Sequence, residues 1–423
     1  MTVSRRALLL GGAAALAGCG GAGDGRQQLH FWAMGREGEV VAQLMPDFER
    51  RHPGIRVRVQ QIPWLSAHEK LLSAFAGDAT PDLAQLGSSW VPELVALGAL
   101  EPLDPRLRGS GAPALADYFQ GPLDGNRIDG RLWGLPWYAD TRLLFYRTDL
   151  LRAAGYERVP EDWAGWLAAM RAVKARGGPD DYAILLPLNE YEPLLALALQ
   201  QPEPLLRDGC RYGNFRSAGF RRAAEFYLGL FREGLAPRVT NTQISNVYDE
   251  FARGRFAFYI SGPWNIGEFR RRLPPERQGD WLTAPLPGPD GPGRSIAGGA
   301  SLGIFARSER KDAAWALIDY LSQPQVQLRF FELTGDLPAR RSVWRAPALA
   351  SDRYAAAFRE QLERAVPPPA VPEWERIGQQ LRIVGERAVA GQLDAASFAA
   401  TMDEDTDRIL ARRRQMLERR AAA

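Results

Sequence analysis

The chain is short of the residues that bind metals or staple small folds. It has two cysteines, Cys19 and Cys210, and three histidines, His30, His52 and His68, in 423 residues. That excludes a structural zinc site of the usual Cys-rich kind, and a disulfide framework as the source of stability. Lysine is equally scarce, at Lys70, Lys174 and Lys311, so nearly all cations are arginine. A strong charge of either sign is also missing. The formal net charge is +3, which gives no reason to expect nucleic acid or an anionic surface as a partner. The histidines lack the helical i,i+4 pairing around a glutamate that marks a zinc hydrolase. No cofactor and no metal is expected.

Long apolar runs are absent beyond the N-terminus. There, Ser4-Arg5-Arg6 opens an apolar stretch from Ala7 to Ala17 that ends in Leu16-Ala17-Gly18-Cys19. A basic start, a short greasy segment and small residues before a cysteine describe a secretory signal. The stretch is too short to span a bilayer, which takes about 20 apolar residues. Its ending resembles a bacterial lipobox, with Cys19 lipidated as the new N-terminus and residues 1–18 removed. Arg5-Arg6 resembles a twin-arginine export motif, departing from it at Leu8 and Leu10. Loss of these two arginines leaves a mature charge of +1. Residues 19–26, rich in glycine, then form a flexible tether. The expected location is the periplasmic or cell-surface face of a bacterial membrane, reached only through acyl chains.

The remaining length is too great for one core, so two lobes are expected. Gln28 to Ala33 reads as a strand. Val40, Val41, Leu44, Met45 and Phe48 share a helical face, with Pro46 bending or shortening that helix. Ile55, Val57 and Val59 alternate with polar residues, a half-buried strand. A helix over 66–76 and the apolar run Leu83 to Leu86 complete a βαβαβ opening, which argues for an α/β fold with mainly parallel sheets. The alternation resumes with strands at 143–146, 183–186 and 256–260, and helices at 161–176, 218–233 and 310–321. Pro367-Pro368-Pro369 separates two final helical stretches.

Several motifs then occur in a telling order: Phe48-Glu49-Arg50-Arg51-His52-Pro53-Gly54-Ile55, Thr80-Pro81-Asp82-Leu83, Gly134-Leu135-Pro136 and Leu144-Phe145-Tyr146-Arg147-Thr148-Asp149-Leu150. They continue as Ala154-Gly155, Phe251-Ala252-Arg253-Gly254, Ser261-Gly262-Pro263-Trp264 and Asp312-Ala313-Ala314-Trp315. This combination resembles the family 1 extracellular solute-binding proteins, the maltose-binding-like receptors of carbohydrate ABC importers. The resemblance spans the mature chain. It implies a type II periplasmic-binding-protein fold of two α/β lobes joined by crossover strands, with a sugar in the cleft. It also implies ABC permease subunits as partners, a monomeric receptor and no catalysis. One lobe is expected from 27–140 plus 295–341, the other from 141–294 plus 342–423.

A pyranose offers an apolar face for an indole or phenol and a rim of hydroxyls for Asp, Glu, Asn and Arg. Trp264 follows a buried strand and a Gly-Pro turn, where the family commonly lines its cleft. The segment Trp137-Tyr138-Ala139-Asp140-Thr141-Arg142 opens the first crossover; Asp140 matches a frequent family ligand acid, and Trp137 or Tyr138 would stack. Glu37 and Glu39 follow the first strand, where relatives place a sugar-binding acid, although helix-start acids also suit the macrodipole. Trp64 is a further aromatic candidate. Ser88, Ser89 and Trp90 follow the third strand; some relatives carry an Asp near Gly87 that this chain lacks, which leaves the sugar open. Gly298, Gly299 and Ser301 lie at a later crossover, where backbone N–H groups face a hydroxyl. Arg340 matches a family position for a ligand-binding base, and Tyr191 and Glu192 reach the cleft from the second lobe.

Gly299-Ala300-Ser301-Leu302-Gly303 matches the G-x-S-x-G nucleophile elbow. That elbow needs a helix after the serine and a later histidine; here a strand follows, and all three histidines precede it. Two other readings stay open on the residues alone. One is a receptor for a polyamine, glycerol-phosphate or iron. The other is a glycosidase or lyase using two of the many carboxylates.

Overall fold

The computed structural model describes residues 25–109, 113–244 and 246–422. Cys19, the signal segment and most of the tether lie outside these residues. The opening runs β1 (Gln27–Met34), α1 (Gly35–Val41), α2 (Met45–Arg51), β2 (Ile55–Ile62), α3 (Trp64–Ala76), β3 (Leu83–Gly87) and α4 (Val91–Ala96). Leu29, Phe31 and Ala33 alternate inward along β1 and are fully buried. Each such side chain stabilises the fold by about 1.5–3 kcal/mol, less for alanine. The expected helix around Pro46 is split in two. Residues 42–44 break it, and Pro46 stands in the first turn of α2, where its missing N–H costs nothing.

Next come β4 (Leu135–Thr141), β5 (Leu143–Arg147), β6 (Tyr182–Leu185), α5 (Glu192–Leu199), β7 (Phe256–Ser261), α6 (Trp264–Arg272), β8 (Trp281–Ala284), β9 (Ser295–Ile304), β10 (Leu337–Pro338), β11 (Ala365–Val366) and α7 (Trp374–Val389). The larger sheet has the order β10-β4-β9-β3-β1-β2, with β11 beside β9; the smaller has the order β8-β5-β7-β6. Strands β2, β1 and β3 are parallel, as are β6 and β7. At the crossovers β9 runs antiparallel to β3 and β4 but parallel to β11, and β5 runs antiparallel to β7 and β8. Both sheets are therefore mixed rather than mainly parallel. A strand that enters from the other lobe need not follow the βαβ direction.

Chain passes between the sheets sit side by side. Strand β4 ends at Thr141, and β5 of the other sheet begins at Leu143. Thr141 is registered against Ala297 of β9, and Ser295 and Ile296 of β9 against Ala365 and Val366 of β11. The Ser295 hydroxyl donates to the Arg142 carbonyl at 2.6 Å. After β11 the triple proline leads to α7, which packs on the helices Ala395–Ile409 and Ala218–Arg232. The Gly299 to Gly303 motif lies within strand β9, not at a strand-to-helix elbow.

Candidate functional site

A cavity of about 550 Å³ opens between the two sheets. From the side of the larger sheet it is lined by Glu37, Trp64, Ser88, Ser89, Trp90, Tyr138, Asp140, Gly298, Gly299 and Asp336. From the other side come Tyr191, Glu192, Leu195, Trp264 and Trp374, with Arg142 at the crossover between them. The larger-sheet residues sit beyond strand ends or where β4 and β9 leave the sheet, the position at which open α/β sheets bind ligands.

Glu37 is fixed by two donors. The Tyr138 hydroxyl donates to its Oε1 at 2.9 Å and the Trp64 indole N–H to its Oε2 at 3.4 Å. Behind Tyr138, Gln85 Nε2 donates to the phenol at 3.2 Å, while Gln85 Oε1 accepts from the Met34 N–H at 2.7 Å. A buried chain of hydrogen bonds thus runs from β1 to the cavity floor and holds one carboxylate in place. Arg142 lies 3.6 Å from Asp140 and 3.8 Å from Glu192, and its guanidinium sits 4.5 Å from the Trp264 ring centre.

The wall is rich in carboxylates. Among the described lining residues Arg142 is the one cation facing Glu37, Asp140, Glu192 and Asp336. Burial pushes Asp140 above the usual carboxylate range, opposed by Arg142 and the Gly299 N–H and reinforced by Glu192. Asp336 is pushed up to about 8, first by burial and then by the charge of Glu37. Its folded value lies above the ordinary 3.8, so the native state holds this proton more tightly than the unfolded chain. The resulting penalty is absent below about pH 4, grows as pH rises and is complete above about 8. Asp336→Asn removes that share of the pH dependence. Urea unfolding of the two proteins across this window should show the parent losing stability relative to the variant as pH rises; parallel curves count against the assignment.

Glycines let the aromatic groups lie flat against the backbone. A Cβ on Gly262 would stand 1.9 Å from the Trp264 ring, one on Gly87 2.9 Å from Trp90, one on Gly35 2.7 Å from Trp64, and one on Gly378 2.8 Å from Tyr191. A Cβ on Gly298 would stand 2.1 Å from an Asp140 oxygen.

Four of the residues expected at the site lie elsewhere. Trp137 is the extra residue of a bulge in β4, between Pro136 paired with Ser301 and Tyr138 paired with Ala300; it is buried in the core and stacks on Phe330 at 4.4 Å. Ser301 is buried in β9 opposite Leu86 and Pro136, beyond the register shift at Ala300/Ser301. Arg340 is engaged below the surface, donating to Asp117 Oδ2 at 2.7 Å and to the Ser322 carbonyl at 2.9 Å. Glu39 stands two residues from Glu37, on the other side of α1; it is exposed and accepts from Gln61 Nε2 at 2.9 Å. Asp336 and Trp374 line the cavity without having been expected. Asp336 lies four residues before Arg340, in Gly335-Asp336-Leu337-Pro338, and the sequence marks the two equally as polar residues beside a turn. Trp374 follows the triple proline, whose place at a crossover was the available signal.

The profile of the family described as bacterial extracellular solute-binding protein matches residues 34–328. The chain belongs to this family. A putative binding protein of Brucella abortus is 27% identical over 86% of this chain and 87% of its own length. The galactooligosaccharide-binding protein of Bacillus subtilis is 22% identical over 83% of this chain and 82% of its own. The solved structure of the sugar-binding protein MalE from Xanthomonas citri is 55% identical, covers 93% of this chain and 99% of its own, and superposes with a TM-score of 0.90. This solute-binding protein thus has the two-lobe fold of its relatives, with the cavity between the lobes. No helix among the described residues is long and apolar enough to cross a membrane.

Proposed function

We propose that this solute-binding protein is the receptor of an ABC importer, capturing a mono- or oligosaccharide between its lobes and delivering it to the permease. One observation carries the reading. The cavity combines indoles from both lobes, Trp64 and Trp90 on one side and Trp264 on the other, with the carboxylate of Glu37 held among them. Indoles suit the C–H faces of a pyranose, and acceptors such as Glu37 suit its hydroxyls. A predominance of acceptors disfavours a phosphate or carboxylate ligand. The ligand-contacting set we propose is Glu37, Trp64, Ser88, Ser89, Trp90, Tyr138, Asp140, Arg142, Tyr191, Glu192, Trp264, Gly298 and Gly299, joined by Asp336 and Trp374.

Lobe 1 in this reading comprises 27–140 plus 295–341 and lobe 2 comprises 141–294 plus 342–423, with 342–366 returning to β9 through β11. The receptor works as a monomer held to a membrane by lipid on Cys19, and it returns its sugar unchanged. A ligand that binds only the native state raises the melting temperature, by about 2.7 kcal/mol of stabilisation at a hundredfold excess over Kd. A thermal-shift screen against neutral sugars, sugar phosphates and polyamines should find stabilisation by one or more neutral sugars. Stabilisation by the phosphates or polyamines alone would overturn the reading. Chromatography of the sugar after long incubation should recover it intact.

A further inference from the structure

We propose that His68, which does not itself line the cavity, is the positioning residue that sets the plane of the Trp90 indole and so one aromatic wall of the cleft. The inference rests on the reading of that cavity as a sugar site. Trp64 and His68 stand four residues apart on α3 and therefore on one helix face. Both rings meet Trp90: Trp64 at 5.6 Å and tilted by 60°, His68 at 5.1 Å and nearly parallel at 23°. His68 is anchored in turn, with its Nε2 2.9 Å from Glu93 Oε2. Glu93 is three residues beyond Trp90, in the first turn of α4. One side chain thus stacks on the wall residue and is bonded to the helix that follows it.

The geometry suits a brace. Trp90 ends a short 3-10 turn, Ser88–Trp90, directly after β3. Its ring folds back over Gly87, where even a methyl group would collide, so the glycine limits movement on that side. Trp64 meets Trp90 at an angle and presents its N–H to Glu37. The near-parallel contact comes from His68, whose ring packs on the indole as an aromatic plate. Without that plate, a half-buried indole gains rotamer freedom, and the binding of a sugar must then remove it.

The test separates stacking from hydrogen bonding. The protein is labelled with 5-fluorotryptophan, and the Trp90 fluorine line is assigned with Trp90→Phe. His68→Gln keeps a partner for Glu93 but no ring; His68→Phe keeps the ring but no partner. The expected result is a shifted or broadened Trp90 line in His68→Gln and His68→Ala, and a line close to the parent's in His68→Phe. An unchanged line in His68→Gln and His68→Ala, or a His68→Phe line displaced like theirs, overturns the proposal. Should His68→Ala fail to fold, the Gln and Phe variants decide alone.

Calorimetry with maltose provides the functional arm. Affinity should fall about three- to tenfold in His68→Gln and stay within about twofold of the parent in His68→Phe. If the parent binds neither maltose nor any other sugar of the screen, the sugar reading fails, and the fluorine line still decides the role of His68.

Discussion

Gly299→Ala unfolds far more easily than the parent protein. Gly299 has φ +107°, and an added Cβ would stand 2.3 Å from the Tyr138 carbonyl oxygen and 3.0 Å from Ala139 Cα. Both obstacles are backbone, so no side chain can swing aside. Left-handed backbone strain costs about 1–3 kcal/mol, and overpacking a fixed environment costs a similar amount. The expected loss is about 2–6 kcal/mol, a large part of the stability of an ordinary domain. Gly155 is the control, with φ +90° and open space around its Cβ position. Gly155→Ala should lose only the strain. Urea unfolding with unchanged m-values should rank Gly299→Ala well below Gly155→Ala; equal midpoints would show that the backbone contact at β4 is not tight.

The second large effect falls on binding rather than on folding. Trp264 is 46% exposed, so its removal exposes little core. Trp264→Ala should leave the melting temperature nearly unchanged while weakening the sugar found in the screen about ten- to a hundredfold, or roughly 1.4–2.8 kcal/mol, as expected for a central aromatic anchor. Gly262→Ala makes the more discriminating comparison. It keeps the whole indole but drives a methyl group into it, since the ring approaches to 1.9 Å. A comparable loss of affinity in both variants identifies the orientation of the ring as the source of binding. Full affinity in Trp264→Ala would remove Trp264 from the site.

The order of strands and helices was legible because each βα unit carries its own hydrophobic period. The run Ile55, Val57, Val59 needed no partner to be read; Val40 to Phe48 showed which residues are buried but not the break at 42–44 that divides them between α1 and α2. Strand direction was less legible. The pairing of β9 with β3 and β4 depends on where a crossover returns, and no local pattern records that. At the site, residues beyond strand ends, such as Trp64, Ser88 and Trp90, could be placed from their strands. Within a strand, Trp137 and Tyr138 are neighbours that a bulge in β4 separates, one left unpaired and packed on Phe330 and the other reaching Glu37, and no local pattern records where a bulge falls. Arg340 and Asp336 illustrate the same limit. A base and an acid four residues apart are equally polar in sequence, but Asp117 engages the base, 223 residues away, and leaves the acid facing the cavity.

The pairing of Thr141 with Ala297, and of Ser295 and Ile296 with Ala365 and Val366, has a mechanical consequence. Connections lashed edge to edge behave like the leaves of one door hinge: they permit swinging about a single line and resist twist and slide. Under the proposed receptor role, shutting on a sugar is then a swing about that one line, and a single angle suffices for a membrane partner to tell a full carrier from an empty one.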